Sequence, residues 1–153
     1  MEPKDLRAVP PRRWNEQLGG IYWLPRLVDK ARAALAGTLG DYLYGQSPMD
    51  RGLLRALGVS HREFAVIVKS SPDDAAVLLA LRDRDGAALD RARAWSQPLP
   101  RQHRLFFWFV DIDDGYRGTG ALRAPVRFLA NRLSRTVKRL WPSKAAARAA
   151  ETQ

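Results

Sequence analysis

Gly19–Tyr44 reads GGIYWLPRLVDKARAALAGTLGDYLY, and its reading decides the fold. Leu24, Leu27, Val28, Ala31 and Leu35 recur every three or four residues. At 3.6 residues per turn they share one side of a helix. Pro25 has no backbone donor and suits only a first turn, so the helix is predicted to start near Leu24. Gly37 and Gly40 can adopt the left-handed backbone that ends it. Arg26, Asp29 and Lys30 fall on the opposite side, with Arg32 off to one edge. The spacings Arg26–Asp29 and Asp29–Arg32 suit ion pairs along the helix. Two readings follow. In one, the charged face is solvated. In the other, Trp23, Arg26, Asp29 and Lys30 line a groove for an anionic ligand or partner, and Tyr42 or Tyr44 adds a hydroxyl.

Outward from this helix, the chain punctuates itself into short helices. Pro3, Pro10 and Pro11 make residues 1–12 an extended arm, and Trp14–Leu18 is expected to form a helical turn before Gly19-Gly20. Tyr42–Ser47 is a connection. Met49, Leu53, Leu54 and Leu57 predict a helix over Pro48–Leu57 ended by Gly58. Ser60 and Glu63 have the spacing of a capping box and open the next helix, with Phe64, Ile67 and Val68 inward. Ser71-Pro72-Asp73-Asp74 is a third start, for a helix through Leu81 to about Arg84, stopped by Gly86. Leu89–Trp95 is a shorter helix and Gln97–Pro100 a turn. Arg101–Ile112 contains the run Leu105-Phe106-Phe107-Trp108-Phe109-Val110; the helical neighbours favour a buried helix over a buried strand. The expected fold is all-α, a bundle of six or seven short helices. Gly115–Gly120 is the expected domain boundary, dividing a body (1–117) from a C-terminal segment (118–153).

The long motif also carries a resemblance. Its order of Gly19-Gly20, Trp23-Leu24-Pro25-Arg26-Leu27, Asp29-Lys30-Ala31-Arg32 and Gly37-Thr38-Leu39-Gly40 resembles a family of short bacterial proteins catalogued as a domain of unknown function, number 5069. Met49-Asp50 and the Leu-rich segment after it continue the likeness. Weaker similarity runs through Ala94-Trp95 and from Trp108 to Asp114, so it covers about residues 5–114. The resemblance implies a small, mainly helical cytoplasmic domain and implies no reaction.

Composition narrows the classes. The 153 residues contain 46% hydrophobic residues, enough for a core, and no cysteine. Disulfides, thiol nucleophiles and cysteine-based zinc sites are thereby excluded. The opening MEPKDLRAVPPRRW has no apolar stretch of the signal-peptide kind, and the run Leu105–Val110 is far short of a bilayer span. A cytoplasmic location is the expectation. The net charge of +10 is uneven. Residues 1–114 hold 17 Lys and Arg against 15 Asp and Glu, whereas residues 115–153 hold 9 against 1. Such asymmetry points to a partner more than to a fold.

Val126, Leu129, Ala130, Leu133, Val137, Leu140 and Trp141 fall on one side of a predicted helix bounded by Pro125 and Pro142. Arg127, Arg132, Arg135, Lys138 and Arg139 fall on the other side, with Phe128 among them. Three uses compete for this basic amphipathic stretch: packing on the body, lying on an anionic membrane surface, or meeting nucleic-acid phosphates without sequence preference. Asp111, Asp113 and Asp114 could surround a divalent ion. They do not fit a calcium loop, because the sixth position is Tyr116 and the twelfth Leu122. The competing reading pairs these acids with arginines such as Arg104 or Arg117. His61 and His103 have no oriented partner at catalytic spacing. No serine-nucleophile elbow, phosphate loop or dinucleotide fingerprint occurs. The expected role is a binding or interaction module without cofactor. The alternative is an enzyme using Asp111–Asp114 around a metal, or Arg26, Lys30 and Tyr42 around an anionic substrate.

Overall fold

A computed structural model of the chain describes residues 3–116. Its first regular element is a hairpin, not the helical turn expected over Trp14–Leu18. Strands β1 (Gln17–Leu18) and β2 (Ile21–Tyr22) pair antiparallel, with Gln17 opposite Tyr22. Gly19 and Gly20 both have positive φ, which is what a two-residue turn matching strand twist requires and what glycine alone adopts freely. The Gly-Gly pair therefore decided this stretch against a helix.

The rest of the described chain is helical. Helix α1 spans Leu24–Ala36, with Pro25 in its first turn and Gly37 in the left-handed conformation at its end. Thr38 N–H donates to the Ala33 carbonyl at 2.8 Å, so the terminal carbonyls are satisfied by a Schellman-type closure. Helix α2 (Pro48–Leu57) is capped by the Ser47 hydroxyl, which accepts from Asp50 N–H. Helix α3 (His61–Ser70) has the predicted capping box of Ser60 and Glu63. Helix α4 (Asp74–Arg84) starts two residues later than Pro72 would allow. Its cap is Asp73, accepting from Ala76 N–H, while the Ser71 hydroxyl instead closes the end of α3 on the Ile67 carbonyl. Helix α5 covers Ala88–Ser96. The expected turn at Gln97–Pro100 runs into a four-residue helix, α6 (Leu99–Gln102), and His103 breaks it from α7 (Arg104–Asp113).

The core is one cluster. Leu24, Leu27, Val28 and Ala31 of α1 meet Leu53 and Leu57 of α2, Phe64 of α3, and Val77 and Leu81 of α4. Helix α1 packs on α3 and α2 on α5. At the second contact Gly52 faces the Trp95 ring so closely that any Cβ would collide with it. The arm before β1 is seated on α1: Leu6 is buried and its N–H donates to the Thr38 carbonyl at 2.9 Å.

Two expectations change here. The charged side of α1 is not solvated: Arg26, Asp29, Lys30 and Arg32 are all buried. The arm, the residues after α1 and the end of α7 cover that side and bring opposite charges to it. The apolar run in α7 is a helix but is not buried as a whole. Only Phe107 of the run faces fully inward, at 2% exposure, because α7 lies at the edge of the body and packs on one side. The predicted boundary at Gly115–Gly120 and the segment 118–153 lie at or outside the limit of the described residues, which do not test it. The basic stretch with Arg127, Arg132, Arg135, Lys138 and Arg139 lies outside them.

Candidate functional site

Arg26 and Lys30 are four residues apart on α1 and so point the same way. Trp23, at the start of α1, lies beneath both: the Arg26 guanidinium carbon is 5.1 Å from its ring centroid and Lys30 Nζ 5.4 Å. Trp23 holds a left-handed backbone (φ 70°) unusual for a bulky residue. Its indole N–H donates to Asp50 Oδ1 at 2.8 Å, and this buried bond helps hold the conformation.

Asp50 is fully buried at the start of α2. Its two oxygens lie 2.5 and 2.6 Å from Lys30 Nζ, and Gly45 N–H donates to Oδ2 at 3.0 Å. Lys30 also donates to the Leu43 carbonyl at 3.0 Å. Burial lowers the Lys30 ammonium's proton affinity, and the Asp50 charge opposes that fall. Arg26 makes a fork on Asp114, at 2.5 and 3.1 Å, where the Tyr42 hydroxyl also donates at 2.9 Å. The Tyr42 ring lies 5.5 Å from the Arg26 guanidinium, so that cation sits between two aromatic faces. Burial pushes the Tyr42 hydroxyl's pKa upward, and the Asp114 charge adds to it. The phenol is therefore a donor and not a base at neutral pH.

The same helix carries a second set of pairs. Asp29 accepts from Lys4 Nζ at 3.2 Å and from the Arg12 backbone and guanidinium at 2.8 and 3.0 Å. Arg12 reaches on to Asp74 of α4, which Arg32 also meets at 2.8 Å. Burial alone would raise the Asp74 pKa, yet the bonds from Arg12 and Arg32 hold it below the usual carboxylate value. Arg13 forks onto Asp111 at 2.8 and 2.6 Å, and Trp14 Nε1 donates to the same carboxylate at 2.9 Å.

The structure brings Trp23, Arg26, Lys30 and Tyr42 together and sets Asp29 in the adjoining cluster. The anions that Arg26 and Lys30 hold are the chain's own Asp114 and Asp50. Asp111 and Asp114 are drawn to different arginines, and no group of His, Cys, Asp or Glu among the described residues could hold a metal ion. The arginines that meet these two carboxylates, Arg13 and Arg26, lie 98 and 88 residues away in the chain. Asp50, Asp74, Arg12 and Arg13 were missed, because pairings across 17 to 98 residues leave no periodic trace. His61 is exposed, and its backbone carbonyl accepts from the Tyr44 hydroxyl at 2.6 Å. His103 sits edge-on to Phe107.

A second surface lies on the outer side of α7, the helix whose Phe106 and Phe107 rings are 6.4 and 6.0 Å from Trp23. Leu105, Phe106, Trp108 and Phe109 of α7 are 68, 41, 40 and 44% exposed. Beside them runs a groove of about 610 Å³ lined by Trp14, Pro100, Arg104, Leu105, Trp108 and Asp111. No helix among the described residues is long and apolar enough to cross a membrane.

Comparison with curated proteins finds no match. The family profile described as Domain of unknown function (DUF5069) matches residues 8–102, from the seated arm through α6, and so takes in all of α1 and the buried Lys30–Asp50 pair. The chain belongs to the DUF5069 family.

Proposed function

We propose that the chain is a small interaction module that attaches to an anionic partner through Arg127, Arg132, Arg135, Lys138 and Arg139, with the helical body as its folded carrier. The observation that carries this reading is where the unbalanced charge of the sequence lies. In the body, Arg12, Arg13, Arg26 and Lys30 are engaged by Asp29, Asp74, Asp111, Asp114 and Asp50. Residues 1–114 balance to within two charges, whereas residues 115–153 carry eight positive charges in excess. In this reading Trp23, Arg26, Asp29, Lys30 and Tyr42 hold the body together, and an outside anion would have to displace Asp50 or Asp114 to reach them. An enzymatic role at the same cations meets the same obstacle.

Phosphate-bearing partners release counterions on binding, so affinity falls steeply with salt. The test titrates the full chain with mixed-sequence nucleic acid, and separately with vesicles of anionic lipid, at two salt concentrations. A variant with the five cations changed to Gln is run alongside. The expected result is salt-sensitive binding by the natural chain and a shallower salt dependence for the variant. Equal binding by the two proteins sinks the proposal.

A further inference from the structure

Exposed rings and unmatched cations meet on the outer side of α7. Arg104 and Trp108 are four positions apart, as are Leu105 and Phe109, so these side chains share one region of the helix surface. The Phe109 ring stands at 73° to Trp108, with centroids 5.0 Å apart. Large apolar side chains clustered against water mark a contact surface.

Charge indicates what the surface contacts. Arg104, and Arg101 three residues earlier in α6, are exposed, and neither side chain has a hydrogen bond or ion pair among the described residues. The buried cations of the body, by contrast, are met by carboxylates. The one acid on the groove, Asp111, is buried and accepts from Arg13 and from Trp14 Nε1. The groove thus has two indoles, Trp14 and Trp108, beside a cation that nothing nearby neutralises. Trp14 is fixed there by its stacking on Phe107 at 4.2 Å. Membrane-seated helices press a protruding apolar face into the headgroup layer. Here the rings border a hollow of about 610 Å³, a shape that admits flat groups. Rings next to negative charge are what an unpaired nucleic-acid strand offers, because its bases are free to leave the stack beside their phosphates.

We infer that the outer side of α7 is a platform for single-stranded nucleic acid. A base stacks on Trp108 in the groove beside Trp14, and Arg104 and Arg101 meet the adjoining phosphates. The inference rests on the polyanion reading above and narrows it. The five C-terminal cations attract any phosphate chain, and α7 supplies the preference for an unpaired one.

The test titrates the full chain with oligothymidylate of about 15 nucleotides, a length that spans a typical single-strand site, and with a mixed-sequence duplex. Trp108→Ala should weaken oligothymidylate binding about tenfold and leave duplex binding within about twofold. Trp108→Leu keeps the apolar bulk and should show the same loss, whereas Trp108→Phe keeps a ring and should recover most of the affinity. Arg104→Gln should lower the salt slope for oligothymidylate by about one. Unchanged oligothymidylate affinity in Trp108→Leu, or an equal loss on strand and duplex, overturns the inference. So does a dimer of the natural chain that Trp108→Ala dissolves, which assigns the face to a second copy. Salt-sensitive binding to duplex or to anionic vesicles that ignores Trp108 sinks the platform and leaves the proposed function standing. Strand binding that needs Trp108 but survives replacement of the five C-terminal cations by Gln upholds the platform and sinks the proposed function.

Discussion

Helices α1 and α7 invert the usual assignment of side chains to surroundings. Helix α1 buries four charged residues in the middle of the molecule, and α7 turns Leu105, Phe106, Trp108 and Phe109 toward water. Neighbours explain both. Helix α1 is wrapped on its polar side by the arm, by the connection to α2 and by the end of α7, so its charges are dry and must be matched. Helix α7 is the last described element, and nothing later among the described residues covers its outer side. Composition alone would rank the two helices the other way round. A buried ion pair contributes little net stability when complete, because desolvation offsets the attraction. Breaking it from one side is a different matter, since the remaining charge stays buried.

That asymmetry gives the largest expected effect. Asp50→Ala leaves Lys30 buried beside Trp23 with one carbonyl for a partner, and it orphans the Trp23 and Gly45 donors. It should destabilise the body by about 3–5 kcal/mol in urea denaturation. Adding Lys30→Met should return part of that loss, because the stranded charge is then gone. A cost below about 1 kcal/mol for Asp50→Ala would mean that water reaches Lys30, and the contrast with α7 would collapse.

The second comparison lies within α7. Phe107 stacks on Trp14 with centroids 4.2 Å apart and 9° between planes, and it lies near Trp23 at 6.0 Å. Phe107→Ala should cost about 3–5 kcal/mol. Phe109, two positions on and 44% exposed, should cost about 2 kcal/mol less when cut to Ala. Equal losses in the full chain would show that the outer side is covered as well as the inner one.

These two helices also show what a single sequence can reveal. The limits of α1, α2 and α3 follow from local chemistry: Pro25, Gly37, Ser47-Pro48, Gly58 and the Ser60–Glu63 box each act within four residues. The hairpin was legible too, since Gly19-Gly20 is a turn pair, but two-residue strands are too short to show alternation. The start of α4 was misplaced because Ser71 and Asp73 both read as caps, and only tertiary structure shows that Ser71 closes α3. For the candidate site, the grouping of Arg26 and Lys30 was visible as helical spacing, whereas Tyr42 lies beyond the end of α1 and reaches them only through the fold. The partners of those two cations, Asp50 and Asp114, were not visible, because a contact across 20 or 88 residues depends on how the helices are stacked. Periodicity likewise marked α7 as apolar without showing which side had a neighbour.

The smallest expected effect concerns Asp74, on the rim of the α1 network with its side chain 15% exposed. Arg12 and Arg32 hold its carboxyl below the ordinary value, against the opposing effect of burial. An acid depressed in the folded state stabilises it at pH above the unfolded value near 4, and that contribution is lost as pH falls through the folded value. Asp74→Asn should therefore cost about 1–3 kcal/mol at neutral pH, where charge-assisted bonds are replaced by weaker ones. Between pH 5 and pH 3 the natural chain should lose stability faster than the variant, because only the natural chain takes up a proton at this position. The two melting curves plotted against pH should then converge toward the acid end. Parallel curves would place the acid sensitivity elsewhere and would remove Asp74 as the outer link of the charge network.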